Sequence, residues 1–106
     1  MSSPGAASRI DFGALDRLAA GDQSLMQEIL EIFLEESTGW AEGLAGDAGV
    51  APAEVIHTLK SSSRAVGALD LGDFCESWEL GEIEDTGPVL DELIRVRAEI
   101  RDWLAR

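Results

Sequence analysis

His57-Thr58-Leu59-Lys60-Ser61-Ser62-Ser63-Arg64-Ala65-Val66-Gly67-Ala68-Leu69 contains the only histidine in the chain. On a helical wheel at about 100° per residue, Val55, Ile56, Leu59, Ser62, Ser63 and Val66 fall on one side. Apolar and small residues at that spacing make a core face. His57 falls nearly opposite its centre. Lys60 and Ser61 lie beside it one turn later, and Arg64 continues the same side. The imidazole is expected at solvent, with two cations and a hydroxyl near it.

Several chemistries are excluded at once. A metal site needs about three or four ligands, and the chain has one His and one Cys, far apart in sequence. Ser61, Ser62 and Ser63 sit near His57, but nothing marks an oxyanion hole or a strand-turn-helix elbow. There is no Gly-rich nucleotide loop either.

Outward from this stretch the helical period continues in both directions. Asp11 can cap a short first helix with Phe12, Leu15 and Leu18 on one side. Gly21 suits the position past its end, and Asp22 can cap the next helix. That helix is predicted from about Gln23 to Ala45, with Leu25, Met26, Ile29, Leu30, Phe33, Leu34, Trp40 and Leu44 as its apolar stripe. Its glutamates read as a solvated face. Gly39 and Gly43 weaken its last turns or admit another helix closely. Gly46 to Ala51 is a loop, and Pro52 suits the first turn of the His57 helix. The Gly67-Ala68 pair then allows a tight turn.

Asp70 is the cap candidate for the next helix, on which Leu71, Phe74, Cys75 and Trp78 share a face and Glu79 lies at its edge. Cys75 reads as a buried small apolar residue. Thr86-Gly87-Pro88 starts the final helix. Its stripe is Val89, Leu90, Leu93, Ile94, Ile100, Trp103 and Leu104, and Arg95, Arg97 and Arg101 form its wet side. With no convincing strand, the fold class is all-α: an antiparallel four-helix bundle with a short additional N-terminal helix. Residues 1–8 read as a flexible arm of Ser, Pro, Gly and Ala, and residues 9–106 as one domain.

Charge narrows the partners. Twenty-one acidic residues against 8 basic give a net charge of −13. Such a surface repels nucleic acid and anionic membranes alike. No apolar run approaches the ~20 residues of a membrane span, and Met1 to Ser8 lacks the apolar core of a signal peptide. A single cysteine suits a reducing cytosol, so a cytoplasmic protein is expected.

His57-Thr58-Leu59-Lys60, then Ser62-Ser63, then Gly67-Ala68 and Leu71, resembles the histidine-containing phosphotransfer domain. In that family the run reads His-x-Leu-Lys-Gly-Ser-(Ser or Ala), three variable residues, Gly-Ala and a Leu. The likeness reaches Cys75 and Glu79 on the next helix and, more loosely, the chain from about Ile10 to its end. His-x-Leu-Lys alone is weak; with the small pair, the Gly-Ala and a four-helix context it is strong. One departure stands out: Ser61 occupies the position where the family usually has Gly, one turn from the imidazole. Ser61 is small enough to keep the ring accessible.

The resemblance implies a phosphoryl carrier, not a kinase, with no cofactor of its own. His57 would be the phosphorylated residue, and Lys60 would meet the phosphoryl oxygens. Glu79, at the position of the family's Gln or Glu, would accept from Nδ1–H and leave Nε2 as the nucleophile. Lys60, Ser61 and Arg64 would face the partner. The phosphoryl group would come from a receiver domain or a histidine kinase and pass to a response-regulator receiver, which would bring any Mg²⁺. Ile56 and Ala65 are possible contributors to the docking patch. A monomer is the default. A different class of reading is a helical binding module that docks a signalling partner without carrying phosphate. A third is a domain cut from a larger hybrid or chemotaxis-type kinase.

Overall fold

The computed structural model describes residues 8–46 and 51–106. Helices run over Phe12–Leu18 (α1), Gln23–Leu44 (α2), Pro52–Ala65 (α3), Leu69–Glu79 (α4) and Gly87–Leu104 (α5). The described residues are all-helical, four long helices preceded by a short one. Consecutive long helices pack on one another, α5 closes the bundle against α2 and α4, and the α3–α4 seam is the most extensive contact. All but Ser8 of the arm expected over residues 1–8, and most of the expected α2–α3 loop, fall on residues 1–7 and 47–50, which lie outside the described residues. Ser8, assigned to that arm, donates its hydroxyl to Glu99 on α5.

Local signals set the helix starts. The Asp11 carboxylate accepts from Ala14 N–H and that of Asp22 from Leu25 N–H, each satisfying an otherwise unpaired first-turn donor. Pro52 opens α3, where its missing N–H costs nothing. Asp70 is not the cap of α4. Ala68 takes that position, and Asp70 lies in the first turn. The reason is upstream: Ala68 N–H bonds Ser63 O and Gly67 N–H bonds Arg64 O, a Schellman closure that ends α3 and leaves only Gly67 between the C-cap Val66 and the N-cap Ala68.

Gly67 is required there. Its φ is +83°, and a Cβ would stand 2.7 Å from the Asp11 carbonyl oxygen. Asp11 N–H in turn donates to Gly67 O at 2.8 Å. The segment entering α1 is thus pinned on the turn that ends α3. Glu99 Oε1 holds the same segment by accepting from the amides of Arg9 and Ile10.

Leu15, Leu30, Leu59, Leu71, Cys75, Leu93 and Ile100 form the middle of the core, each fully buried. Burying side chains of this size contributes about 1.5–3 kcal/mol each. The apolar stripes are narrower than their sequence suggests. Leu18, Leu25, Phe74 and Ile94 stand exposed, while Val96 and most of Glu92 are buried. Arg97 is not on the wet side of α5. Its half-buried guanidinium donates to Leu34 O at 2.7 Å and to the Ser37 and Thr38 hydroxyls of α2. Gly43 does let α3 approach α2: a Cβ there would lie 3.0 Å from Val55.

Candidate functional site

The face predicted for α3 is realised. Val55, Ile56, Leu59, Ser63 and Val66 are buried, Ser62 is half-buried, and the Ser63 hydroxyl is absorbed by Leu59 O. The opposite side therefore turns outward, and the His57 side chain is 72% exposed.

Antiparallel packing of α3 on α4 then carries the end of α4 to His57. His57 Nδ1 lies 3.0 Å from Glu79 Oε2, and the second carboxylate oxygen, Oε1, lies 2.5 Å from Lys60 Nζ. One carboxylate bridges both groups. The Lys60 ammonium, and secondly the His57 ring, hold the Glu79 carboxyl below the usual carboxylate range. An ionised carboxylate has no proton to give, so Nδ1 is the donor in this bond. In a neutral ring the lone pair then resides on Nε2, away from Glu79.

Lys60 stands one turn from His57, as expected, but its amino group is docked on Glu79 and largely covered. Ser61 is exposed beside the histidine. Arg64 is exposed on the His57 side, as expected, but it does not stand alone. Its guanidinium pairs with Glu76 at 3.1 Å and Asp73 at 3.4 Å, both on α4, and its pKa is raised chiefly by the Glu76 hydrogen bond. Sequence reading missed these two carboxylates. Their signal was a step of three residues on α4, Asp73-Glu76-Glu79, facing the His57-Lys60-Arg64 step on α3.

A second feature was also missed. Beside the other flank of α3, Ile29, Ile32 and Phe33 of α2, Ala65 of α3 and its C-cap Val66 line an open apolar groove of about 210 Å³. Ile32 is 52% exposed there. Ala65 belongs to this groove, whereas Ile56, an expected contributor to a docking patch, is fully buried against the core. No group of three or more potential metal ligands occurs among the described residues, and no described helix is long and apolar enough to cross a membrane.

The family model of the Hpt domain matches residues 28–106. This chain belongs to the Hpt domain family. Hpt domains serve histidine phosphotransfer in two-component signalling, as phosphocarriers without kinase activity, and interact with kinase and receiver domains. The match begins within α2, so α1 and the pinned segment before it lie outside the Hpt match. No curated protein and no solved structure matches the chain.

Proposed function

We propose that His57 carries a phosphoryl group on Nε2 between a phospho-aspartyl receiver domain or a histidine kinase and a response-regulator receiver. The observation that supports this most is the Glu79 bridge, which fixes Nδ1 as donor and leaves an exposed Nε2 lone pair. That lone pair attacks phosphorus. The Nε2–P bond forms, the bond from phosphorus to the donor's aspartyl oxygen breaks, and a carboxylate leaves. Nδ1–H keeps its proton, so the ring becomes cationic, and Glu79 faces the charge that develops.

Lys60 neutralises the arriving phosphoryl oxygens. Its ammonium carries three N–H donors, so one can stay on Glu79 while another turns outward. Phosphoryl transfer rests on such positioning and charge compensation more than on covalent help. Any Mg²⁺ belongs to the receiver. Ser61 leaves the approach to the ring open.

The partner docks over the α2–α3 flank. Lys60 and Arg64 are committed to α4, whereas the apolar groove beside Ala65 is open and displays Ile32. The contact is expected to be transient and modest, at the low end of specific interfaces, below about 1,200 Å². In this reading the chain acts in the cytoplasm as a monomer.

Incubation with a phosphorylated receiver tests the proposal. Label moves to the chain, and Ile32→Glu raises the receiver concentration needed for half-maximal rate by about tenfold, as loss of an exposed apolar contact does. Binding of the receiver with no transfer of label would instead favour a docking module that carries no phosphate.

A further inference from the structure

The charged contacts across the α3–α4 seam form a ladder. Along α3 the members are His57, Lys60 and Arg64; along α4, in the opposite direction, they are Glu79, Glu76 and Asp73. Glu79 takes His57 and Lys60, and Arg64 takes Glu76 and Asp73. Lys60 and Arg64 are helix neighbours at i and i+4, as Glu76 and Glu79 are at i and i+3. Glu76 is therefore the nearest rival to Glu79 for the Lys60 ammonium.

Arg64 is seated to remove that rivalry. Its stem crosses α4 over Gly72, where a Cβ would stand 2.7 Å from Arg64 Cγ and 2.9 Å from Nε. Gly72 is buried, so the glycine opens the channel through which the arginine reaches Glu76. A guanidinium presents a fixed fork of donors and can serve two carboxylates at once. With Glu76 and Asp73 occupied, Lys60 is left with Glu79.

We propose that Arg64 is a positioning residue for the His57 site: by occupying Glu76 and Asp73 it keeps Lys60 on Glu79 and Glu79 on His57 Nδ1. This rests on the phosphotransfer reading only for its rate consequence; its effect on the ring is independent of phosphate. Without Arg64, Lys60 divides between Glu76 and Glu79, and the carboxylate that orients the imidazole loses its anchor.

The test reads both consequences. Long-range ¹⁵N–¹H NMR of the histidine ring distinguishes the protonated from the unprotonated nitrogen. Wild type is expected to show Nδ1–H at neutral pH. Arg64→Ala should shift the ring-nitrogen signals toward a mixture of tautomers and slow transfer from a phosphorylated receiver by about tenfold, as a small misplacement of a reacting group does. Arg64→Glu paired with Glu76→Arg should restore both to within about twofold, which a general loss of helix packing would not allow. Should Arg64→Ala fail to fold, Arg64→Gln, which keeps the stem over Gly72 but gives up the charge that holds Glu76 and Asp73, reports the same ring signals. Wild-type ring signals in a folded Arg64→Ala or Arg64→Gln chain would overturn the proposal. A shifted ring in a chain that never accepts phosphate would instead uphold the positioning and refute the phosphotransfer reading.

Discussion

Nδ1 of His57 lies 3.0 Å from Oε2 of Glu79, although 22 residues separate them in the chain. The contact fixes which ring nitrogen is free, and its loss should be graded. Glu79→Gln keeps an acceptor for Nδ1 but gives up the charge that faces the cationic ring and holds Lys60. Glu79→Ala gives up both. Orienting partners of this kind are typically worth 10- to 100-fold. We expect transfer from a phosphorylated receiver to fall about tenfold in Glu79→Gln and nearer a hundredfold in Glu79→Ala. Equal rates in all three proteins would remove Glu79 from the mechanism.

The same carboxylate gives the fold a pH dependence of known sign. Glu79 titrates below its ordinary value because Lys60, and then His57, stabilise its ionised form. A depressed native pKa adds stability above the unfolded value, about 4.3, and that addition is lost as pH falls through the native pKa. Partly exposed pairs contribute up to about 1 kcal/mol. Urea unfolding should therefore show wild type more stable than Glu79→Gln at pH 7, by no more than about 1 kcal/mol. The gap should begin to shrink as pH falls below the unfolded carboxylate value, about 4.3, and close as pH falls through the depressed native one. A gap that widens on acidification would contradict the assignment.

Much of this arrangement was legible in the sequence, because helical period and capping chemistry are local. Asp11, Asp22, Pro52 and Gly67 each act where their backbone requirements place them. The wheel also put His57 at solvent and Ile56 in the core. What it could not give was the register of one helix against another. Lys60 docked on Glu79, Arg64 held by Asp73 and Glu76, and Arg97 reaching the Leu34 carbonyl all depend on partners tens of residues away or across a seam. Stripe width was overread for a related reason. Leu25 and Ile94 sit at apolar spacing, yet a four-helix bundle covers only part of each helix, and the edges remain open.

Two positions of left-handed backbone should respond oppositely to exchange of Gly and Ala. Gly67 has φ +83° and no space for a Cβ beside Asp11 O, whereas Ala20 already carries its Cβ at φ +53° in the closure that ends α1. A left-handed non-glycine residue costs about 1–2 kcal/mol. Gly67→Ala should thus lower stability by about 2 kcal/mol or more, since overlap with backbone adds to the conformational cost. Ala20→Gly should raise it by up to about 1 kcal/mol. Denaturant midpoints at neutral pH check both.

Cys75 should be chemically silent while the bundle is folded. It is fully buried, and burial first, then the charge of Glu79, pushes its thiol up to about 12. Thiolate is the reactive form. An aromatic disulfide reagent at pH 8 should label native protein only at the rate of unfolding, and label urea-unfolded protein at once. Rapid labelling of the native chain would place the thiol at the surface and contradict the packing of α4.

The most direct test of the central claim is to find the atom that bears the phosphoryl group. After incubation with a phosphorylated receiver, ³¹P–¹⁵N NMR of the chain should show phosphorus bonded to Nε2 of His57, in a linkage labile to acid and stable to alkali. His57→Gln should show none. Phosphorus on Nδ1, on another residue, or persisting in His57→Gln would contradict the account.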